Sequence, residues 1–263
     1  MNNLGSDPKL ILNQVIKEFN ENTPDIFGNN EKEGARRYVY NITPSYLRTI
    51  EDCTNLLKKK GGVVCELGAF LGIVSKSLKR IGFEVNPCDI PSYFGRKEVI
   101  NYFKESKIDI YNFNLREYKL PFNDSSHDLV IACEVFEHLN FNPLPVIAEI
   151  NRILKPNGYL YIGMPNSSSI IKRLKFLFTG RHPSFEINEL FQQLDGKNNV
   201  TVGLHWREYS IKDTITMVTP FGFVLEKYKL TSDTGANNGN WFKRKLKSLI
   251  YSIPGCGHTQ VII

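Results

Sequence analysis

The segment CEVFEHL places two carboxylates and an imidazole close together along the chain. Glu134, Glu137 and His138 are spaced i, i+3 and i+4, so in a helical turn all three side chains project to one side. Carboxylate oxygens and imidazole nitrogens are ligands for divalent cations, and a bound cation lowers the pKa of a coordinated hydroxyl. The spacing therefore predicts a metal site, to which His205 or His182 would add a further imidazole.

Two other interpretations of these residues remain open. The imidazole of His138 or of His205 can act as a general base that accepts the proton of an acceptor hydroxyl. Alternatively, the two acids cap the turn and His138 has a structural role. If a cation does bind, Glu134, Glu137 and His138 would favour Mg2+ or Mn2+ over Zn2+, which prefers thiolates and more histidines.

A second group of residues surrounds a glycine turn in the segment VVCELGAFLG, which is typical of a buried strand followed by a turn and a helix. A dinucleotide-binding loop would read G-x-G-x-x-G, whereas this turn has Gly68 and Gly72 with Phe70 between them. The carboxylate of Glu66 would repel a phosphate but attract the ammonium group of an amino acid. Asp89 follows about twenty residues later, where an acid binds ribose hydroxyls. Together these features predict an S-adenosylmethionine site.

The elements that must position these residues alternate along the chain. Helical periodicity covers residues 8–52, with expected breaks at Pro24, Gly28 and Pro44. From there on, the sequence predicts strands over 63–67, 83–89, 108–113, 128–133, 159–164 and 223–230, and helices over 72–80, 96–105, 144–154 and 210–219. Strands separated by helices of this length indicate βαβ crossovers and a parallel sheet covered on both faces. We therefore expect a doubly wound α/β domain.

Several motifs in this order resemble those of the class I S-adenosylmethionine-dependent methyltransferases. The similar segments are VVCELGAFLG, FEVNPCDI, LPFNDSSHDLVIACEVFEHL, EINRILKPNGYLYIGMPN and HWREYSIKDTITMVTPFGFVLEKY. The resemblance implies a Rossmann-like methyltransferase fold with a seven-stranded, mostly parallel sheet whose last strand is antiparallel. It further implies an N-terminal helical cover over residues 1–60 and a methyltransferase domain over 61–263, with a lid insertion at about 165–208.

The resemblance also implies which residues bind the cofactor S-adenosylmethionine. These are Glu66, Gly68, Gly72, Asp89, Asn114, Leu115 and Cys133. Asn114 stands where many family members have an aspartate that meets the adenine amino group, although an amide in this place can also cap a loop. Leu115 would pack on the adenine ring, and Cys133 ends the fourth strand, next to the expected position of the methyl group.

The predicted activity is methyl transfer to an oxygen atom. The E-x-x-E-H arrangement resembles that of metal-dependent family members, among them small-RNA 2′-O-methyltransferases and O-methyltransferases of ubiquinone synthesis. The acceptor is expected to be a hydroxyl of a small molecule, a sugar or a lipid-linked compound. The alternatives are an RNA 2′-O-methyltransferase, a non-catalytic protein that binds S-adenosylmethionine or RNA, and a nucleotide-binding oxidoreductase, which the missing G-x-G-x-x-G disfavours.

Composition limits the classes of partner. The net charge of +6 is mildly basic, but no nucleic-acid-binding motif accompanies it, so we expect no nucleic-acid partner. Residues 241–252 form a basic, amphipathic segment that either contacts an anionic membrane or packs on the sheet. The five cysteines show no C-x-x-C pair, and no signal pattern or long apolar run is present, so we expect a cytoplasmic protein with reduced thiols.

Overall fold

The computed structural model describes residues 7–25, 32–57, 62–180, 204–231, 257 and 259–263. Most of the predicted lid insertion, His182 and the basic segment 241–252 lie outside these residues. The chain forms two compact units: the first comprises residues 1–131 and 152–160, and the second comprises residues 132–151 and 161–263.

Within its described residues, the first unit contains five α-helices and three strands that lie wholly inside it. Its elements are α1 (Pro8–Glu21), α2 (Lys32–Leu57), β1 (Val63–Leu67), α3 (Ile73–Ile81), β2 (Glu84–Asp89), α4 (Pro91–Phe94), α5 (Lys97–Lys104) and β3 (Tyr111–Asn112). β1 and β2 pair in parallel, and β2 and β3 do the same. This arrangement brings the carboxyl ends of β1 and β2 to the same edge, where Glu66 and Asp89 lie.

Two long strands begin in the first unit and end in the second. They are β4 (His127–Cys133) and β5 (Leu154–Pro165), and α6 (Leu144–Ile153) connects them. The second unit also contains α7 (Ile170–Thr179), α8 (Ile211–Val218), β6 (Tyr228–Thr231) and β7 (Thr259–Ile262). β7 pairs antiparallel with both β5 and β6.

The seven described strands follow the order β3-β2-β1-β4-β5-β7-β6. Chain order reverses between β1 and β4, and in sheets of this kind ligands bind beyond the carboxyl ends of the strands at such a reversal. The strand order and the antiparallel last strand confirm the predicted α/β fold class.

Continuous apolar runs explain the central strands. Val64 and Cys65 in β1 and Leu129, Val130 and Ile131 in β4 are fully buried. Strands covered on both faces lack the polar and apolar alternation of a half-exposed strand, which is why these segments read as unbroken hydrophobic runs in the sequence.

The structure corrects the break expected at Pro44 and adds two helices to those predicted, α4 and α7. The break expected at Pro44 is wrong, because α2 continues through this residue to Leu57. A proline inside a helix removes one backbone N–H, and the helix still buries Val39 and Ile50 on either side of it. No pattern in the sequence predicted α4, which begins with Pro91 in the first-turn position that proline favours.

No helix in the described ranges combines the length and the apolar character that a bilayer span requires.

Candidate active site

The glycine turn after β1 contains three residues with left-handed backbone angles. Gly68 and Gly72 have φ values of 69° and 68°, and Phe70 between them has a φ of 44°. A residue with a side chain pays roughly 1–2 kcal/mol for this conformation. The Phe70 ring packs against Tyr38 and Tyr93, with ring centroids 5.5 and 5.2 Å apart. These aromatic contacts offset the strain, so the turn accommodates phenylalanine where glycine would be unstrained.

Asp89 fastens this turn to the end of β2. Its two carboxylate oxygens accept backbone N–H groups from Phe70 and Ile90, each at 2.7 Å. Burial raises the pKa of Asp89 to about 6, while the two hydrogen bonds act in the opposite direction. The carboxylate is therefore mainly ionised at neutral pH, and each oxygen keeps a second lone pair that can accept a ribose hydroxyl.

Glu66 is buried near the end of β1 and accepts a hydrogen bond from the Ser75 hydroxyl on α3. Burial raises the pKa of Glu66 to about 7, and the hydrogen bond from Ser75 partly opposes this effect. The carboxyl group is thus close to half ionised at neutral pH. A cationic ammonium group nearby would favour its ionised form.

Asn114 and Leu115 lie directly after β3. The Asn114 side chain accepts a hydrogen bond from the backbone N–H of Arg116 at 2.9 Å and so caps a short 3-10 turn, Leu115–Glu117. This is the loop-capping arrangement that the sequence left open. The Asn114 amide oxygen keeps a second lone pair beside this bond, so the predicted contact with the adenine amino group stays a prediction.

In the second unit, the backbone bends sharply where β4 ends. Glu134 has a φ of 54°, and its N–H donates to the Gly163 carbonyl at 2.7 Å. The 3-10 turn begins only at Phe136 and ends at His138. The single helical turn expected from Glu134 to His138 is therefore interrupted. Cys133, the last residue of β4, is half-buried.

Three of the candidate residues converge in this unit. Glu137, His138 and His205 each contribute one potential ligand atom, and these atoms all lie within 4.8 Å of one another. The two imidazole rings are 4.9 Å apart at 74°. His205 thus joins Glu137 and His138 in the group of mutually close atoms, while Glu134 is exposed and lies outside that group.

Hydrogen bonds fix both imidazoles. The Nδ1 of His138 is 3.0 Å from the Leu204 carbonyl, and the Nδ1 of His205 is 3.1 Å from Glu208 Oε1. Because each partner can only accept, each Nδ1 carries the proton in the neutral ring and Nε2 carries the lone pair. Metal-binding histidines are commonly oriented in this way by a carbonyl or a carboxylate.

Glu137 is the unusual member of the group. It is fully buried, neither of its carboxyl oxygens makes a hydrogen bond of good geometry within the described residues, and the carboxyl group of Glu134 lies close to it. Burial raises the pKa of Glu137 well above its usual range, and the neighbouring carboxylate of Glu134 raises it further. A buried carboxyl group without such a bond requires a proton or a cation, so these residues fit a bound metal ion.

His138 is neutral at physiological pH, whereas Glu208 is ionised. Burial lowers the pKa of His138 to about 4, so this imidazole is neutral at physiological pH. Burial opposes the ionisation of Glu208, but hydrogen bonds from His205 and Lys172 lower its pKa below the usual range. Glu208 is therefore a buried carboxylate that forms an ion pair with Lys172.

Glu208, Lys172 and the Leu204 carbonyl were not among the predicted site residues. A weak signal for Glu208 was present in HWREYS, since His205 and Glu208 are three residues apart. No spacing rule could have found Lys172 or Leu204, because both meet the cluster through tertiary folding.

Comparison with known proteins agrees with this architecture. A family model described as a methyltransferase domain matches residues 65–162. An uncharacterized methyltransferase of Schizosaccharomyces pombe is 32% identical over 142 residues, which cover 47% of this chain and 50% of the relative. The ubiquinone biosynthesis O-methyltransferase of Photobacterium profundum is 26% identical over 141 residues, which cover 52% of this chain and 57% of the relative. The chain thus spans about half the length of these curated relatives.

Two solved structures share the fold at low sequence identity. A methyltransferase of Haloferax volcanii, solved in complex with the activator Trm112, has a TM-score of 0.59 at 15% identity, with 94% of this chain and 97% of that chain covered. A Thermotoga maritima protein described as an S-adenosylmethionine-dependent methyltransferase, possibly acting on histamine, has a TM-score of 0.54 at 17% identity, with 95% and 97% covered.

The matched domain and the strand order define the class. Residues 65–162 match the methyltransferase-domain family model, and the chain shares the methyltransferase fold with the H. volcanii structure. The family resemblance predicted from the motifs is confirmed.

Proposed function

We propose that this protein transfers the methyl group of S-adenosylmethionine to a hydroxyl of a small molecule, a sugar or a lipid-linked acceptor, assisted by a divalent cation. The observation that carries the metal proposal is the buried carboxyl group of Glu137, which makes no hydrogen bond of good geometry among the described residues and lies beside two oriented imidazoles. The P. profundum relative, named as an O-methyltransferase, supports oxygen as the methyl acceptor.

The residues of the first unit would hold the cofactor. Asp89 would accept hydrogen bonds from the ribose hydroxyls, and Glu66 would neutralise the ammonium group of the methionine end. The glycine turn would let the backbone approach the ligand closely. Asn114 and Leu115 would contact the adenine. The cofactor supplies an electrophilic methyl group on a sulfonium, so the protein needs only to align the acceptor oxygen and exclude water.

The residues of the second unit would hold the cation and the acceptor. Glu137 would contribute carboxylate oxygen, and His138 and His205 would contribute Nε2 nitrogens, with Glu134 as a further carboxylate ligand. A cation in this place lowers the pKa of an acceptor hydroxyl and so favours the nucleophilic oxygen. The second imidazole moves the donor set away from Mg2+, which prefers oxygen ligands, and towards Mn2+, Co2+ or Zn2+.

A metal-free mechanism is the second candidate, and the pairing of His205 with Glu208 favours it. In that mechanism Nε2 of His205 accepts the hydroxyl proton, and Glu208 stabilises the imidazolium that forms. His138 is a poor base for this role, because a group with a pKa of about 4 holds a proton weakly at neutral pH.

Manganese titration by calorimetry and electron paramagnetic resonance tests the metal proposal. We expect Glu137→Gln to weaken Mn2+ binding at least tenfold, while the matched control Glu226→Gln, an exposed acid of the same unit, binds as the wild type does. Unchanged Mn2+ affinity in a folded Glu137→Gln variant would rule out the proposed ligand set.

An activity assay separates the two mechanisms. Radiolabelled S-adenosylmethionine is offered with a panel of catechols, glycosides and lipid-linked sugars, with and without a chelator. Loss of turnover with chelator and its return with Mn2+ supports the cation, whereas full turnover in chelator supports His205 as the base. Full turnover in a His205→Ala variant would contradict both mechanisms.

A further inference from the structure

Lys172, Glu208 and His205 form a continuous chain of polar contacts in the second unit. Glu208 Oε1 accepts from His205 Nδ1 at 3.1 Å, and its other oxygen, Oε2, accepts from the Lys172 ammonium group. Glu208 is almost completely buried, with 5% of its side chain exposed, and the Lys172 side chain is only 12% exposed. Each carboxylate oxygen thus has its own donor, and the plane of the carboxylate is held at both ends.

We propose that Glu208 is a positioning residue that keeps His205 in the Nδ1–H tautomer and in one ring orientation. This inference rests on the proposed function, since His205 must present an unprotonated Nε2 both to bind a cation and to accept a proton. Lys172, at the start of α7, holds the carboxylate in turn and fixes the direction from which it meets the ring.

The position of Glu208 supports a role beyond packing. A lone imidazole in water exchanges between two neutral tautomers, and only one of them leaves Nε2 available. Leu204 carries out the same task for His138 with its backbone carbonyl, which no substitution of a side chain can remove. His205 depends on a side chain instead, so its orientation can be altered by mutation while His138 serves as an internal reference.

The alternative is that Glu208 and Lys172 form a structural ion pair to which His205 is incidental. In that case removal of the carboxylate changes stability but leaves the tautomer of His205 and the affinity for a cation unchanged. Nitrogen NMR of the histidine side chains at one fixed pH distinguishes these cases, because protonated and unprotonated ring nitrogens resonate far apart.

The experiment compares wild type, Glu208→Gln and Glu208→Leu. We expect His205 to be Nδ1-protonated in wild type and in Glu208→Gln, whose amide oxygen still accepts the bond. In Glu208→Leu we expect a mixture of tautomers and ten- to a hundredfold weaker Mn2+ binding, the usual range for losing a partner that orients a ligand. His138 should keep its tautomer in all three proteins.

Two results would overturn the inference. The first is that folded Glu208→Leu keeps the His205 tautomer of the wild type. The second is that Glu208→Leu loses this tautomer but binds Mn2+ as tightly as the wild type does. If Glu208→Leu does not fold, Glu208→Ser takes its place, since the smaller polar side chain leaves room for water. If wild type binds no Mn2+, the metal part of the proposed function fails, and the tautomer measurement alone decides the role of Glu208.

Discussion

Three acids in the candidate binding sites lie in environments that disfavour their ionised form. Glu66, Asp89 and Glu137 are all acids whose pKa burial raises, and each one lies in a candidate binding site. Such groups are common where a protein binds a ligand that compensates the charge. In the free protein burial opposes the ionisation of these acids, and in the complex a bound cation or hydrogen-bond donor would favour it.

Substitution of Glu66 by glutamine should expose this trade-off. The pKa of Glu66 is raised from 4.5 to about 7. The contribution of protonated Glu66 to the free energy of unfolding is therefore fully present below pH 4.5 and is lost as the pH rises through 7. A shift of this size corresponds to a penalty on the order of 3 kcal/mol at pH 8. Glutamine cannot ionise, and we expect urea denaturation to show the variant more stable than wild type at pH 8, with the difference vanishing at pH 4.

The same variant should bind S-adenosylhomocysteine more weakly, because its neutral amide attracts the ligand's ammonium group less. Calorimetry at pH 8 measures this effect. Tighter or equal binding by Glu66→Gln would show that Glu66 contributes nothing to the methionine end.

Asp89 should make cofactor affinity depend on pH. Its pKa of about 6 means that the carboxylate is ionised at pH 7.5 and protonated at pH 5. Affinity for S-adenosylhomocysteine should therefore fall as the pH drops through 6. Asp89→Ala should lose roughly 1.5 to 3 kcal/mol of binding at pH 7.5, about ten- to a hundredfold. Asp89→Asn, which cannot titrate, is the control, and a pH dependence as steep as in wild type would assign the effect to another group.

Among the elements, the junction of the glycine turn with α3 has the tightest packing requirement. A Cβ atom added to Gly72 would overlap the ring of Phe103, and the φ of 68° disfavours any side chain. We expect Gly72→Ala to lower the free energy of unfolding by about 2 to 4 kcal/mol, from backbone strain and overpacking together. Urea denaturation measures the loss.

Gly82 provides the matched control for Gly72. Its φ is 116°, but no atom lies within 4 Å of the Cβ that alanine would add. Gly82→Ala should therefore show only the conformational cost. Adding Phe103→Leu to Gly72→Ala should recover part of the stability, and the absence of any recovery would mean that overlap with the ring is not the cause.

The elements also show how far sequence reasoning extends. β1 was predicted with its observed bounds, because an apolar run between glycines has few interpretations. Less regular segments were predicted less well: β3 is limited to Tyr111–Asn112, whereas the apolar pattern suggested 108–113, and β5 begins at Leu154 instead of 159. Strand length depends on which neighbour is available for pairing, and that is a property of the whole sheet.

Site residues that lie at predicted strand ends could be predicted from the sequence, whereas contacts between distant segments could not. Glu66, Asp89 and the glycine turn follow from strand ends, which sequence pattern locates. The convergence of His205 with Glu137 and His138 depends on a loop far along the chain, so the sequence could name His205 and His182 only as alternatives. The left-handed conformation of Glu134, which interrupts the expected helical turn, had no signal in the residue types.

For the whole molecule, the two strands that both units share lead us to expect cooperative unfolding. β4 and β5 each begin in one compact unit and end in the other, so neither unit can unfold without disturbing a strand of its neighbour. We expect one unfolding transition when fluorescence and circular dichroism are compared. Saturation with S-adenosylhomocysteine at a hundred times its Kd should raise the free energy of unfolding by about 2.7 kcal/mol. Two separate transitions, of which the ligand shifts one, would contradict this expectation.

The position of Trp206 provides a built-in optical reporter. The chain has two tryptophans, Trp206 and Trp241, and the backbone N–H of Trp206 donates to the Glu137 carbonyl at 2.7 Å. In a Trp241→Phe background, all indole emission would come from a residue adjacent in sequence to His205. Paramagnetic ions such as Mn2+ or Co2+ quench nearby indoles, so occupancy of the cluster could be followed by fluorescence before any acceptor is known.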